Sequence, residues 1–311
     1  MNNTTNFGEL LYPGLAAIWG NSYPDYKPEW SQIFPKKPSS QNFEKTLGMT
    51  GFGLAPIKSL GKPIAYDDAF QGPTHSLYHF VRGLGFIVTE EMWTDDQYGK
   101  INALPGALRR SMIHTKEWDG ANILNSAFSN TYADGSSALG ADGVCLCSLY
   151  HPLIGAAGTY NANTPSTQAD LSLTALEQAV AIDIPAWVDG RGLKIKLMAK
   201  KLITTTLNDW TAFQLLGADK DPETPASNAP NPAKNLFPEG RIVSHYITDT
   251  DSWFIQTDAP NGLVCLEHSK WGLRFAKDND FGTGNALFKA TDRYVFGWDD
   301  PLTIYGTSGG V

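Results

Sequence analysis

Cys145-Leu-Cys147, followed by His151, is the stretch of the chain whose residue types come nearest to a metal site. On a strand, alternate residues share a face, so both thiols would point the same way with an imidazole close by. Structural zinc, however, is usually held by two close pairs of ligands, and no fourth ligand is apparent. The segment therefore reads as thiols beside a turn. Asp278-Asn279-Asp280-Phe281-Gly282 has the opening of a calcium loop, but Lys289 stands where the closing bidentate glutamate belongs. It too reads as a turn.

Paired acids occur at Asp67/Asp68, Glu90/Glu91, Asp95/Asp96 and Asp299/Asp300. Catalytic carboxylates face each other across a substrate, whereas neighbours on a strand point apart. Helix caps and solvated turns account for these pairs better. The histidines 75, 79, 114, 151, 245 and 268 include no metalloprotease spacing, and there is no phosphate loop, dinucleotide fingerprint or nucleophile elbow. One covalent chemistry has residues in place: a neutral, desolvated Lys58 or Lys62 could attack an asparagine carboxamide on a neighbouring chain to form an isopeptide. No partner carboxylate is visible, and both read as solubilising charges on an edge. The residues thus predict no enzyme, no cofactor and no metal.

The elements that would carry these residues fall into a clear order. Residues 1 to about 45 interleave Pro13, Pro24, Pro28, Pro35 and Pro38 with Tyr12, Trp19, Tyr23, Tyr26, Trp30 and Phe34. Proline blocks regular structure while the rings demand burial, so this segment should lie along another surface, of this subunit or a neighbour. From Met49 to Val88 the pattern is strand-like and punctuated by glycine. As a single hairpin its arms of roughly 15 residues would reach about 50 Å. Such a ribbon is marginal alone and must join a larger sheet or dock on another chain.

Thr89-Glu90-Glu91 opens a predicted helix over about 90–100. Pro105 suits the first turn of a second, running to about Phe128; at about 25 residues it would span nearly 37 Å, the length of a spine. Val144–Leu149 predicts a strand and 155–167 a loop. Thr174 and Glu177, at capping-box spacing, predict a helix through Trp187 that Pro185 kinks. A strand over 193–205, a short helix over 209–216, a proline-rich loop over 221–238 and a strand-rich remainder from Arg241 to Ile304 complete the reading, with turns at 257–262 and 278–284.

Composition narrows the classes. With 42% hydrophobic and 18% charged residues, the 311-residue chain can bury a core and is neither collagen-like nor disordered. Its formal charge of -8 argues against a protein whose main work is gripping phosphates. The longest uncharged stretch, Gly143–Ala169, is broken by glycine, proline and asparagine, so no membrane span is expected. The first basic residue is Lys27, which leaves no positively charged secretory start and points to a cytosolic product. Three cysteines cannot all pair, and thiols are expected.

Several stretches resemble one family. Gly48-Met-Thr-Gly-Phe-Gly-Leu-Ala-Pro56, Gly83-Leu-Gly-Phe-Ile-Val-Thr-Glu-Glu91, Phe237-Pro-Glu-Gly240 and Phe288-Lys-Ala-Thr-Asp-Arg-Tyr-Val-Phe-Gly-Trp-Asp-Asp-Pro301, closing in Ile304-Tyr-Gly306, are similar to the Mu-like major head subunits among tailed-bacteriophage major capsid proteins. The order of segments resembles the HK97-like fold over nearly the whole chain. The resemblance implies an α+β subunit: an N-terminal arm (1–45), an extended hairpin loop (46–86), a peripheral domain with the spine helix (87–140 and 263–298) and an axial domain (141–262 and 299–311).

It further implies a major capsid protein that self-assembles through hexamers and pentamers into an icosahedral shell around double-stranded DNA, made in the host bacterial cytoplasm and residing in the virion. Expected partners are other copies of itself, scaffolding and portal proteins, decoration proteins, and packaged DNA through weak nonspecific contact; no membrane is involved. The start at Met1 without a long charged helical leader adds the expectation of a separate scaffold. Contacts between subunits are expected at Trp19, Tyr23, Trp30, Phe52, Ile57, Lys58, Lys62, Tyr66 and Phe70. Two alternatives stand beside it: an encapsulin-type compartment with protein cargo, and a monomeric carbohydrate-binding or glycoside-cleaving β protein, for which the 9 Trp and 12 Tyr would line a groove.

Overall fold

The computed structural model describes residues 27–95, 103–220 and 230–310. The chain forms two compact units, each assembled from three stretches of sequence: Met1–Phe43, Tyr78–Asp119 and Cys265–Val295 make the first, and Glu44–Leu77, Gly120–Val264 and Phe296–Val311 the second. The chain crosses between them inside elements, notably inside the long helix α3 (Leu104–Asn125).

The first unit is a helix on a sheet. Strand β12 (Ala286–Trp298) is flanked by β4 (Phe80–Val88) and β11 (Arg274–Asn279), both antiparallel to it. β12 also neighbours β10 (Leu263–His268), which pairs in parallel with β1 (Lys36–Ser39), a strand that follows the single helical turn α1 (Trp30–Ile33). Gly85 lets β4 close on β12, since a Cβ there would sit 2.7 Å from the Phe288 carbonyl oxygen. Leu108 and Met112 of α3 pack on Ala290 and Phe86. Val88 packs with Met92 of α2 (Glu90–Thr94), against Leu104 and Phe288. Thr89 caps α2 as expected, its hydroxyl accepting from Met92 N–H; the helix ends at Thr94, and residues 96–100 of the predicted span lie outside the described residues.

The second unit is built on a sheet of order β13-β9-β7-β8, formed by Ile304–Thr307, Trp253–Thr257, Ala199–Thr205 and Arg241–Ser244. The α6 helix (Asp209–Gly217) lies in the connection between the parallel pair β7 and β8. On one side of the sheet sit α4 (Leu173–Glu177), a π-helical turn over Gln178–Asp183 and the short α5 (Ile184–Ala186), burying Leu176, Ile184 and Trp187 among Leu202, Ile255 and Tyr305. Tyr305 donates to Asp183 at 2.6 Å, and the Trp187 indole N–H donates to the Ala162 carbonyl at 2.6 Å.

Three sequence expectations are corrected. The helix cap is Ser172, whose hydroxyl accepts from Ala175 N–H at 3.1 Å, so Thr174 is already inside the helix. Pro185 stands in the short α5 that follows the π-helical turn. Residues 144–149 form no strand. Their backbone is satisfied by Ala127 O, which accepts from Cys147 N–H, and by Asn163. The fully buried Asn163 donates to the carbonyls of Leu146 (2.7 Å), Pro301 (2.9 Å) and Ile304 (3.1 Å) and accepts from Ser148 N–H (2.8 Å). One side chain thereby replaces a strand ladder. The strand predicted from 193 begins at Ala199.

The long ribbon predicted over 49–88 also takes a different form. Strands β2 (Phe43–Met49) and β3 (Gln71–Tyr78) pair with each other, whereas the next run, β4, joins the large sheet of the first unit. Between β2 and β3 the chain makes an extended excursion without strand pairing. Pro56 and Pro63 remove ladder donors there, and the glycines at 51, 53 and 61 weaken strand formation. A two-residue antiparallel pair, β5 (His151–Pro152) with β6 (Tyr160–Asn161), sits in the same unit.

Candidate assembly interface

The excursion between β2 and β3 carries an unusual load of bare apolar surface. Phe52, Leu54, Ile64, Tyr66 and Phe70 are exposed, and Ile57 and Leu60 are fully so, Ile57 at 98%. Contiguous apolar surface of this kind marks a site that another surface covers. Lys58 and Lys62 flank Leu60 and are exposed as well. Of the residues expected at contacts between subunits, Phe52, Ile57, Lys58, Lys62, Tyr66 and Phe70 thus lie together on one loop.

Trp30 lies elsewhere. It is 9% exposed, with the Lys116 ammonium 4.7 Å from its ring centroid, so its burial comes from its own subunit. Trp19 and Tyr23 lie outside the described residues.

The loop is closed at its root by two hydrogen bonds, Thr50 N–H to Phe70 O and Phe70 N–H to the Thr50 hydroxyl, each 2.9 Å. Further out, Asp67 accepts from Gly53 N–H at 2.7 Å and from Arg191 Nη2 at 2.9 Å. The Gly53 N–H and then the Arg191 charge hold the Asp67 carboxyl below its usual range. Neither member was singled out from the sequence: Asp67 reads as half of a solvated acid pair, and Arg191 lies far along the chain. The Asp189-Gly-Arg-Gly192 turn was the available signal.

Two smaller exposed apolar features lie elsewhere. Phe281 stands fully exposed at the tip of the β11–β12 turn, and Leu207, Trp210 and Phe213 are bare on and beside α6. In that turn Asp280 accepts from Gly282 N–H and the Thr283 hydroxyl, which is turn geometry and not a cation loop.

The first unit is held by buried charges. Lys116 pairs with Glu267 and lies 3.4 Å from Asp292, and Asp119 accepts from Arg82 Nε (2.9 Å) and the Tyr294 hydroxyl (2.7 Å). Glu117 accepts from the backbone N–H groups of Glu29 and Trp30, both at 2.9 Å, tying the start of the described residues to α3. Burial raises the Glu117 and Asp292 carboxyls, while Glu267, itself raised by burial, is brought below its usual range by hydrogen bonds from Lys116 and Lys36.

A cavity of about 1000 Å³ beside the loop root is lined by Met49, Pro73, Ile154 and Leu197 together with His75, Asp142, His151 and Asp299. Its polar groups are already engaged. Asp142 faces His151 Nδ1 at 2.6 Å, and Asp299 accepts from the Thr46 hydroxyl at 2.7 Å and faces His75 at 3.3 Å. Among the described residues no group of His, Cys, Asp or Glu is arranged to hold a metal ion. Cys145, Cys147 and Cys265 are buried thiols, and burial pushes Cys265 up to about 12. No described helix is long and apolar enough to cross a membrane.

A long helix laid on a sheet, a second unit on its own four-stranded sheet and an apolar loop between two paired strands make up the HK97-like fold. A family model described as phage capsid protein matches residues 80–306, and the chain belongs to that family. It is a major capsid protein, one of the self-assembling subunits that form the phage shell.

Among solved structures, the capsid of an empty GTA particle superposes with a TM-score of 0.59 at 12% identity, covering 100% of both chains. The mature capsid of bacteriophage PhiM1 gives 0.57 at 12% identity, over 92% of this chain and 88% of that one. The holo-SrpI encapsulin complex from Synechococcus elongatus PCC 7942 gives 0.54 at 9% identity, over 94% and 93%. No curated protein matches the chain. Family membership replaces the sugar-binding alternative, and the virion capsid is where such a subunit resides.

Proposed function

We propose that copies of this chain assemble through hexamers and pentamers into an icosahedral shell enclosing the double-stranded DNA of a tailed bacteriophage, with the loop of each copy lying over its neighbour. The observation that carries this reading is the loop itself: an unpaired excursion whose Ile57 and Leu60 are fully exposed makes sense only when covered. Phe52, Ile57, Tyr66 and Phe70 supply apolar contact area, and Lys58 and Lys62 keep the uncovered loop soluble. Residues 1–45 form the N-terminal arm, whose Trp19 and Tyr23 lie outside the described residues. Residues 46–86 form the extended loop, 87–140 with 263–298 the peripheral domain, and 141–262 with 299–311 the axial domain.

Many modest contacts then add up to a closed shell by multivalency. The subunit performs no catalysis. It is made in the host cytoplasm and assembles with a separate scaffold and a portal. The formal charge of -8 suits a lining that touches packaged DNA weakly and without sequence preference. The encapsulin reading rests on the shared fold and differs in what the shell encloses.

The test is expression with the phage's own scaffold, followed by light scattering and negative-stain imaging. Shells or capsomers are expected from the wild type, and Ile57→Ser with Leu60→Ser should leave unassembled subunits. A monodisperse monomer at high concentration with scaffold present would sink the reading, and nucleic acid inside isolated shells separates it from the encapsulin alternative.

A further inference from the structure

The tip and the root of the loop are held very differently. Within 54–66 a single backbone hydrogen bond is described, Lys62 N–H to Ser59 O at 3.2 Å, so the tip is an open turn. Just past the root, the contacts of Asp67 and Phe70 converge on Arg191. Its own backbone N–H and that of Leu193 donate to Asp189 Oδ1, both at 2.8 Å, which fixes the turn from which it projects. Gly192 in that turn adopts φ +81, a conformation open to glycine. Gly155 N–H donates to Gly190 O at 2.7 Å, and a Cβ on Gly155 would meet Arg191 Cδ at 2.9 Å, so the aliphatic stem lies flat on a surface bare of side chain.

The guanidinium ends 4.8 Å from the Phe70 ring centroid and reaches both oxygens of Asp67. Arg191 is 16% exposed at its side chain, against 43% for Asp67, so the arginine is the anchored member and the aspartate the one it captures. Asp67 in turn accepts from Gly53 N–H, which binds the outgoing strand of the loop to the returning one. The arrangement reaches past the Thr50–Phe70 closure and grips the loop at a second point along its length. Two such points define a direction where one would leave a pivot.

We propose that Asp67 and Arg191 form a clasp that fixes the direction in which the loop leaves its own subunit, so that the apolar tip meets a second copy in one orientation. This rests on the reading that the loop covers a neighbour, and it assigns the pair a positioning role with no contact to the neighbour required. The bare tip supplies the adhesive surface and the clasp supplies its aim. Pre-setting one orientation removes the ordering cost that a swivelling loop would add at each contact.

The test is a distance measurement by electron paramagnetic resonance on the unassembled full chain, with nitroxides on Ser59→Cys at the tip and Leu207→Cys, an exposed residue of the same unit. The three native cysteines are buried and stay unlabelled. One narrow distance population is expected in the otherwise wild-type chain. Asp67→Asn, which keeps an acceptor for Gly53 N–H but loses the charge, and Arg191→Ala should both broaden it at unchanged thermal midpoint, and shell yield should fall roughly two- to fivefold, the range of an exposed ion pair.

Arg191→Lys should give an intermediate width. A width that stays narrow in both Asp67→Asn and Arg191→Ala, or one already broad in the parent, overturns the clasp. Ile57→Ser with Leu60→Ser is the separating control: it should abolish shells with the distance distribution intact. Normal shells from that variant would overturn the overlap reading whatever the clasp does.

Discussion

Lys116→Met should be among the most damaging single changes to the first unit, and its cost should depend on pH. Lys116 is 8% exposed, pairs with Glu267 and Asp292, and has the rings of Trp30 and Tyr294 each 4.7 Å from its ammonium. Methionine fills most of the volume, so the loss is electrostatic. It leaves Asp292 buried without its cation and Glu267 with only the half-exposed Lys36. Removing one partner of a buried ion pair costs about 3–5 kcal/mol at neutral pH. At about 2–4 °C per kcal/mol for a chain of this class, the thermal midpoint should fall by roughly 6–20 °C.

The pH dependence follows from the two carboxyls. Glu267 is held below its ordinary value, so in the wild type its contribution is present above about pH 4.5 and is lost as pH falls through the folded value. Asp292 is already raised by burial and is restrained by Lys116; without the lysine it rises further, and its penalty is relieved as it takes up a proton. Both effects shrink the gap between mutant and wild type in acid. Thermal unfolding followed by circular dichroism on unassembled chain, at pH 7 and at about pH 3.5, below the ordinary carboxylate value, reads this directly. Lys116→Met with Glu267→Gln and Asp292→Asn should recover more than half of the loss. A deficit under about 1 kcal/mol at pH 7, or one of equal size at both pH values, would refute the reasoning.

Other outcomes follow from single contacts. Asn163→Ala strips hydrogen bonds from four backbone groups, those of Leu146 and Ile304 buried, and should cost about 3 kcal/mol in urea titration; a cost under 1 kcal/mol would show that the 144–149 segment does not depend on it. Gly140→Ala puts a Cβ 2.1 Å from the Trp298 indole and should destabilise by about 1–3 kcal/mol, with no change expected only if the ring can move aside. Cys147 and Cys265 should resist iodoacetamide at pH 8 in the folded chain and react in urea, as mass spectrometry will show, because burial keeps both thiols protonated. Rapid labelling of either in native buffer would contradict the packing described.

What could be read in advance divides along physical lines. The α3 helix announced itself because Pro105 and the apolar stripe through Leu108, Met112 and Leu124 act locally, and β12 and β9 because apolar runs with β-branched and aromatic residues need no distant information. Residues 144–149 have the same apolar look, but their backbone is satisfied by Asn163, a side chain whose role depends on the whole fold. The ribbon was over-read because periodicity cannot tell whether successive strands pair with each other or with a strand two hundred residues away, as β4 does with β12. The exposed face of the loop was legible, since rings and aliphatics between prolines and glycines have nothing local to pack on. The Asp67–Arg191 pair was not, because an ion pair across such a separation leaves no spacing signal.

The most direct test of the central claim is a reconstruction of the assembled particle by electron cryo-microscopy at side-chain resolution. The account predicts a closed shell in which residues 51–69 of each copy lie across a neighbour, with Ile57 and Leu60 buried at that contact. A shell whose subunits meet through other surfaces while this loop stays in solvent would contradict it.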